Sequence, residues 1–374
     1  MKKELELYIH IPFCVKKCDY CDFLSGPAGA ERQRNYVEAL IKEINHCGDF
    51  SNYQVSSVFI GGGTPSVLPG EWIEEIMDSV YGKFDRGSDV EITIEANPGT
   101  VDQKKLEIYL KSGINRISFG CQSANNRELK ILGRIHTWEE FLESYQMARN
   151  AGFENINVDL MSGLPGQSLA SWEATLSKTV QLHPEHISAY SLIIEEGTPF
   201  SERELELPDE EEERVMYEYT HDILSSYGYH QYEISNYAKN GRECRHNLGY
   251  WKRTEYLGLG LGSASLLEDI RFSNLSEMEK YIKNCEHPEI IREQKEKLEL
   301  KDQMAEYMIL GLRMTEGVSV TAFSKNFGHE LYEIYGDVIE KYRTMKLLEQ
   351  NGDYLRFTRR GISVSNPILA DFLP

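Results

Sequence analysis

Apolar and polar residues alternate at the start of the chain. Leu5-Glu6-Leu7-Tyr8-Ile9-His10-Ile11 carries the two-residue period of a strand. Pro12 ends that ladder by withdrawing a backbone donor. Between residues 31 and 46 the period lengthens, and Tyr36, Ala39, Leu40 and Ile44 share one face of a helix. The two periods then alternate. Apolar runs at 55–60, 90–95, 114–119, 155–160 and 186–194 predict strands, and the stretches at 70–81, 102–112, 138–150 and 171–181 predict helices. Strand then helix, repeated six times, implies a parallel α/β sheet with helices outside it. Six units in place of eight imply an open, partial (β/α)6 barrel, whose chemistry gathers at the C-terminal strand ends.

The pattern changes past Pro208. An acidic run at 210–213 opens a helix to about 227, a position the helix dipole favours. A strand is expected at 229–234, a loop rich in Gly and aromatics at 236–262, and a hairpin at 263–272. The charged stretch 286–300 reads as a linker or exposed helix. Helices at 302–314, 320–326 and 331–345 precede a hairpin at 347–357 turned at Asn351-Gly352, a winged-helix-like α+β order. The expected division is 1–208 for the barrel, 209–297 for an extension, and 298–374 for the C-terminal module.

Composition narrows the function classes. The net charge of −20 argues against nucleic acid as a partner. The C-terminal module has nine Lys/Arg and eleven Asp/Glu, so a docking or lid role suits it better than DNA binding, and a winged-helix redox regulator is disfavoured. No apolar run reaches membrane-spanning length, and Lys2 and Lys3 lead into a charged segment with no apolar h-region. A cytoplasmic location is expected. The seven cysteines are an odd number, and Cys47, Cys121, Cys244 and Cys285 stand singly, as suits a reduced chain.

The other three cysteines form Cys14-x3-Cys18-x2-Cys21 on the loop after the first strand. Zinc sites generally pair two Cys-x2-Cys units, and no second unit follows. Three thiolates on a short loop suit an iron–sulfur cluster with its fourth position open. The stretch resembles the radical S-adenosylmethionine (SAM) proteins, which share this spacing and the aromatic residue before the last Cys, here Tyr20. The resemblance implies the partial-barrel fold and a [4Fe–4S] cluster on Cys14, Cys18 and Cys21, with SAM chelating the fourth iron. It also implies SAM contacts. Gly62, Gly63 and Thr64 of a Gly-rich turn would hold the amino group. Glu95 would accept from the ribose diol, and Arg134 would grip the carboxylate. Gln122 and Asp159 match further polar contacts; Tyr8, Tyr20 and Ile193 match positions that could equally belong to the core.

Within that superfamily the chain resembles, from about Tyr8 onward, the oxygen-independent coproporphyrinogen III oxidases and their haem-chaperone homologues of the HemW type. It departs from the oxidase pattern at Phe23, where oxidases carry a further Cys, and has seven residues before Tyr8 where they carry an extension. His246-Asn247-Leu248-Gly249-Tyr250-Trp251 fits His-Asn-x-x-Tyr-Trp, which resembles the haem-binding signature of the chaperone branch. A neutral imidazole ligates haem iron, and Tyr250 and Trp251 offer flat apolar surface. A buried His beside two core aromatics is the alternative reading. The resemblance implies a haem chaperone that binds cluster, SAM and haem, as a monomer or weak homodimer, with a haem-acceptor protein that is membrane-associated. The rival is a coproporphyrinogen III oxidase, or another radical SAM enzyme that cleaves SAM.

Overall fold

The computed structural model describes residues 2–374. Six parallel strands come first: β1 (Lys3–Ile11), β2 (Tyr53–Gly62), β3 (Arg86–Ala96), β4 (Arg116–Gln122), β5 (Ile156–Ser162) and β6 (His186–Ser191). Between and after them run α1 (Ala30–His46), α2 (Gly70–Lys83), α3 (Gln103–Lys111), α4 (Asn126–Ile131), α5 (Trp138–Ala151), α6 (Leu169–Val180) and α7 (Glu210–Ser226). Every position of β4 is buried, as befits a strand covered on both faces. Along β1, Leu5, Leu7, Ile9 and Ile11 pack in the main core, while Glu6, Tyr8 and His10 alternate with them and meet polar partners. The six strands pair in chain order, giving the partial barrel.

The sheet extends beyond those six. On the β6 side lie β7 (His230–Gln231) and β8 (Asn236–Ala238). The strand expected over 229–234 keeps two residues, because the Tyr232 and Glu233 backbones pair with Thr315 and Met314 instead. Helix α8 (Arg245–Trp251) and β9 (Tyr256–Leu259) then occupy the stretch read as a loop. β9 lies parallel beside β1, with Tyr8 opposite Gly258. Next come β10 (Ala264–Leu267), β11 (Ile270–Asn274), α9 (Met278–Asn284), α10 (Pro288–Ile291) and β12 (Arg292–Lys297). The stretch expected as linker or exposed helix therefore ends as an edge strand, and its charges guard an open edge.

The C-terminal residues form α11 (Leu300–Gly311), β13 (Val318–Ser319), α12 (Val320–Phe327), α13 (Leu331–Thr344), β14 (Leu348–Asn351), β15 (Tyr354–Phe357), α14 (Arg359–Ile362) and α15 (Ser365–Ala370). Their apolar residues make a core of their own around Met308, Phe323, Leu331, Ile339, Leu355 and Phe372. The acidic run that opens α7 belongs to a capping box, in which Asp209 and Glu212 bond each other's backbone N–H groups. No helix among the described residues is long and apolar enough to cross a membrane.

Candidate functional site

The cysteine loop is held against the C-terminal strand ends by backbone bonds. The Gly63 N–H donates to Ile11 O at 2.8 Å and the Thr64 N–H to Phe13 O at 2.7 Å, so the glycine turn after β2 clasps the start of the loop. Gly62 has φ +112°, and a Cβ there would sit 2.6 Å from the His10 ring. A Cβ on Gly63 would lie 2.6 Å from Phe13 O and 3.0 Å from Cys14 Sγ. Only glycine fits this approach. Thr64 Oγ1 donates to Cys14 Sγ at 3.8 Å, and Arg134 Nη1 donates to Cys18 Sγ at 3.6 Å. Arg134 Nη2 donates to Asn97 Oδ1 and Gly120 O, and Asn97 Nδ2 donates to Thr64 Oγ1 at 2.7 Å. Tyr20 packs among Leu132, Met161, Leu164 and Phe200.

All three thiols are partly exposed, whereas the other four are buried. Among the described residues no three His, Cys, Asp or Glu side chains converge on one ion. Three part-exposed thiols on one short loop, with no second Cys-x2-Cys unit, suit a polynuclear iron–sulfur centre. Gly63 leaves Cys14 Sγ free of a side chain on that side.

Just inside the barrel mouth stand two carboxyls. Glu95 Oε2 accepts from the Gly62 N–H at 3.1 Å. Desolvation, and then the neighbouring Asp159, push its pKa up to about 8. Asp159 accepts from Ser118 Oγ at 3.0 Å and from Asn157 Nδ2 at 2.7 Å, and burial raises it too. Gln122 takes φ 69°, a strained setting for a non-glycine residue, and its Oε1 accepts from Tyr190 OH at 3.0 Å. Tyr8 OH bonds His10 Nδ1 at 3.0 Å, and His10 Nε2 bonds Leu24 O at 2.9 Å, tying the lumen to the cysteine loop.

Helix α8 lies at the other end of the strands, against Glu6 and Ser57. It has no capping side chain of its own. Glu91 of β3 serves instead, its Oε1 accepting from the Arg245 N–H at 3.0 Å and the His246 N–H at 3.4 Å. His246 is 1% exposed. Its Nδ1 bonds Ser57 Oγ at 2.8 Å, its Nε2 bonds Tyr250 OH at 3.2 Å, and its ring stacks on Phe59 at 5.2 Å. Burial, with Arg116 adding to it, pushes its pKa down to about 3, so the ring is neutral. The Arg313 guanidinium lies over the Trp251 ring at 5.0 Å.

Most of the predicted residues fall into two groups. Cys14, Cys18, Cys21, Tyr20, Gly62, Gly63, Thr64, Glu95, Gln122, Arg134 and Asp159 gather at the C-terminal strand ends, with Tyr8 deeper in the lumen. His246 and Tyr250 close the N-terminal end, and Trp251 packs toward the C-terminal module. Ile193 stands apart beyond β6, 70% exposed. Sequence reasoning passed over His10, Asn97 and Tyr190. Asn97 lies in Asn-Pro-Gly, which reads as a turn, and the alternation of His10 in β1 was the only signal for it.

Glu6 supplies a pH prediction. It is 2% exposed, and desolvation raises its pKa to about 9 against a bond from Ser57. An unfolded chain loses that proton near pH 4.3, so the folded state holds one more proton between the two values and stability falls as pH rises. The thermal midpoint is expected to drop by about 4 °C or more from about pH 6 to about pH 9. Glu6→Gln should flatten that drop; an equal drop in the variant would contradict the assignment.

Residues 8–178 match the radical SAM superfamily and residues 298–364 the HemN C-terminal domain. The chain is 37% identical to "Heme chaperone HemW" of Lactococcus lactis, over 100% of this chain and 98% of the relative. It is 36% identical to the protein of the same name from Bacillus subtilis, over 98% of each. The structure superposes on coproporphyrinogen III oxidase (HemN) from Escherichia coli with a TM-score of 0.87, covering 99% of this chain and 90% of that one at 22% identity, a likeness of fold. On its full-length similarity, the chain belongs to the HemW family of the radical SAM superfamily.

Proposed function

We propose that the protein is a radical SAM haem chaperone, which binds haem and passes it to an acceptor protein. The observation that carries this reading is end-to-end similarity to proteins named heme chaperones, joined to an open thiol loop at the barrel mouth. Phe23 in place of a further cysteine weighs against the oxidase. Cys14, Cys18 and Cys21 would hold the [4Fe–4S] cluster. Bound there, the cluster would supply an electron to SAM. The chain's own part is positional. Arg134, fixed by Asn97 and Gly120, can grip a carboxylate. Gly62, Gly63 and Thr64 bring backbone close to an amino group, and Gln122, Asp159 and Tyr8 line the lumen side. Glu95 can accept from two hydroxyls, which favours its ionised form. Ile193, exposed at the rim, would contact the cofactor only from outside.

At the opposite end, His246, Tyr250 and Trp251 would contact haem. Both His246 nitrogens are engaged, so ligation of iron needs α8 to shift and release the Ser57 or Tyr250 bond. We place the domain boundaries after residues 208 and 297, and the protein in the cytoplasm as a monomer or weak homodimer serving a membrane-associated acceptor.

Anaerobically reconstituted protein should take up about one haem per chain, read from the Soret band; absence of uptake would overturn the reading. It should also bind SAM. Glu95→Ala combined with Arg134→Ala should weaken SAM binding by about a hundredfold at constant iron content, since each removes a charge-assisted contact. Unchanged affinity would remove these residues from the SAM site.

A further inference from the structure

Helix α8 is gripped from two sides. β2 packs against one side and α11 of the C-terminal module against the other. On the α11 side two residues make the grip. The guanidinium of Arg313, just past the end of α11, makes a cation–π contact with the Trp251 ring. Glu306, midway along α11, accepts from Arg253 Nε at 3.0 Å, and its other oxygen pairs with Arg271 Nη2 at 2.8 Å. The Arg253 and Glu306 side chains are 12% and 18% exposed, so solvent screens this pair less than a surface pair.

Arg253 marks where α8 stops. Its φ of 59° is the left-handed setting that follows a helix, a position that usually takes glycine. The Arg253 N–H donates to Tyr250 O at 3.1 Å and the Thr254 N–H to Gly249 O at 2.9 Å, closing the last turn. An arginine is strained there, and the strain is held by Glu306 and by Asp269, whose Oδ1 lies 3.0 Å from Arg253 Nη2. Glycine would serve a plain helix stop; the arginine adds a tie to α11. The joint is also incompletely satisfied. Trp251 Nε1 and Arg313 Nε are both buried without a hydrogen-bond partner among the described residues. Unmet donors cost stability, and here the cost falls on the joint, not on the core of either body. The C-terminal module has a hydrophobic core of its own, so it can move as a unit.

We propose that α11 is a latch on α8. Glu306 and Arg313 keep the helix seated, with both His246 nitrogens engaged, and withdrawal of the C-terminal module from Trp251 and Arg253 frees α8 to release His246. The proposal rests on the haem-carrying reading above and adds what governs that site: opening of this joint sets the rate at which haem enters and leaves.

Amide hydrogen exchange and stopped-flow haem uptake test the latch on the full-length, cluster-reconstituted protein. Glu306→Gln combined with Arg313→Gln should speed exchange over residues 245–251 by about tenfold or more, and haem uptake, read in the Soret band, by a similar factor at unchanged iron content. β4, buried throughout, reports general loosening, and its exchange should not change. Glu349→Gln combined with Arg356→Gln removes an ion pair within the module and should leave both rates within about twofold. Wild-type exchange over α8 in the latch variant would overturn the proposal, as would equal acceleration over β4. Faster exchange with an unchanged uptake rate would also overturn it, since opening would then not govern haem. If the wild type takes up no haem, the haem-carrying reading fails, and the exchange result alone decides the latch.

Discussion

Alanine at Cys14, Cys18 or Cys21 should each abolish the iron–sulfur absorption of the reconstituted protein, and Cys47→Ala should leave it intact. The expected effect is near-total, because a cubane held by two protein thiolates lacks the ligands to persist. The structure sharpens the contrast. The three loop thiols are partly exposed on a segment pinned by Gly63 and Thr64. Cys47, Cys121 and Cys244 are buried in the packed interior, away from any loop that could open to a metal centre. Iron analysis with the visible spectrum decides the matter. A requirement for Cys121 or Cys244 would refute three-thiol ligation.

His246→Ala should have the second-largest effect, and on two readouts. The imidazole is buried between Ser57, Tyr250 and Phe59, so its removal orphans two hydroxyls and opens a void. A loss of about 2–4 kcal/mol in a denaturant melt is expected. The haem spectrum should change or its occupancy fall while the cluster absorption stays. If haem bound this variant with an unaltered spectrum and Cys244→Ala changed it, the end of the barrel would be right and the iron ligand wrong. Trp251→Ala should weaken haem uptake yet keep the spectral features, since Trp251 packs under Arg313 and offers no ligand atom.

How much of this was legible in the sequence depended on whether the cause was local. The strands of the barrel were readable because β2 to β6 are short apolar runs, buried wherever helices cover them. The thiol site was readable because a spacing within eight residues is itself local. Helix α8 was not. It is seven residues long, holds Gly249 within it and lacks its own cap; the cap is Glu91, more than 150 residues away. β9 was missed for a similar reason, since four residues that include Gly258 and run into Gly260 become a strand only beside β1. The run Arg292–Lys297 hid its strand under charges that protect an edge. His246 was singled out by its motif, but its burial and two engaged nitrogens follow from Ser57 and Phe59 on β2, which no local pattern announces.

The most direct test of the haem-chaperone reading is a pair of assays on one anaerobic, reconstituted preparation. Haem is titrated into one portion, and coproporphyrinogen III with SAM and a reductant is supplied to the other. About one haem bound per chain with no decarboxylated product is the predicted result. Turnover of coproporphyrinogen III would contradict it.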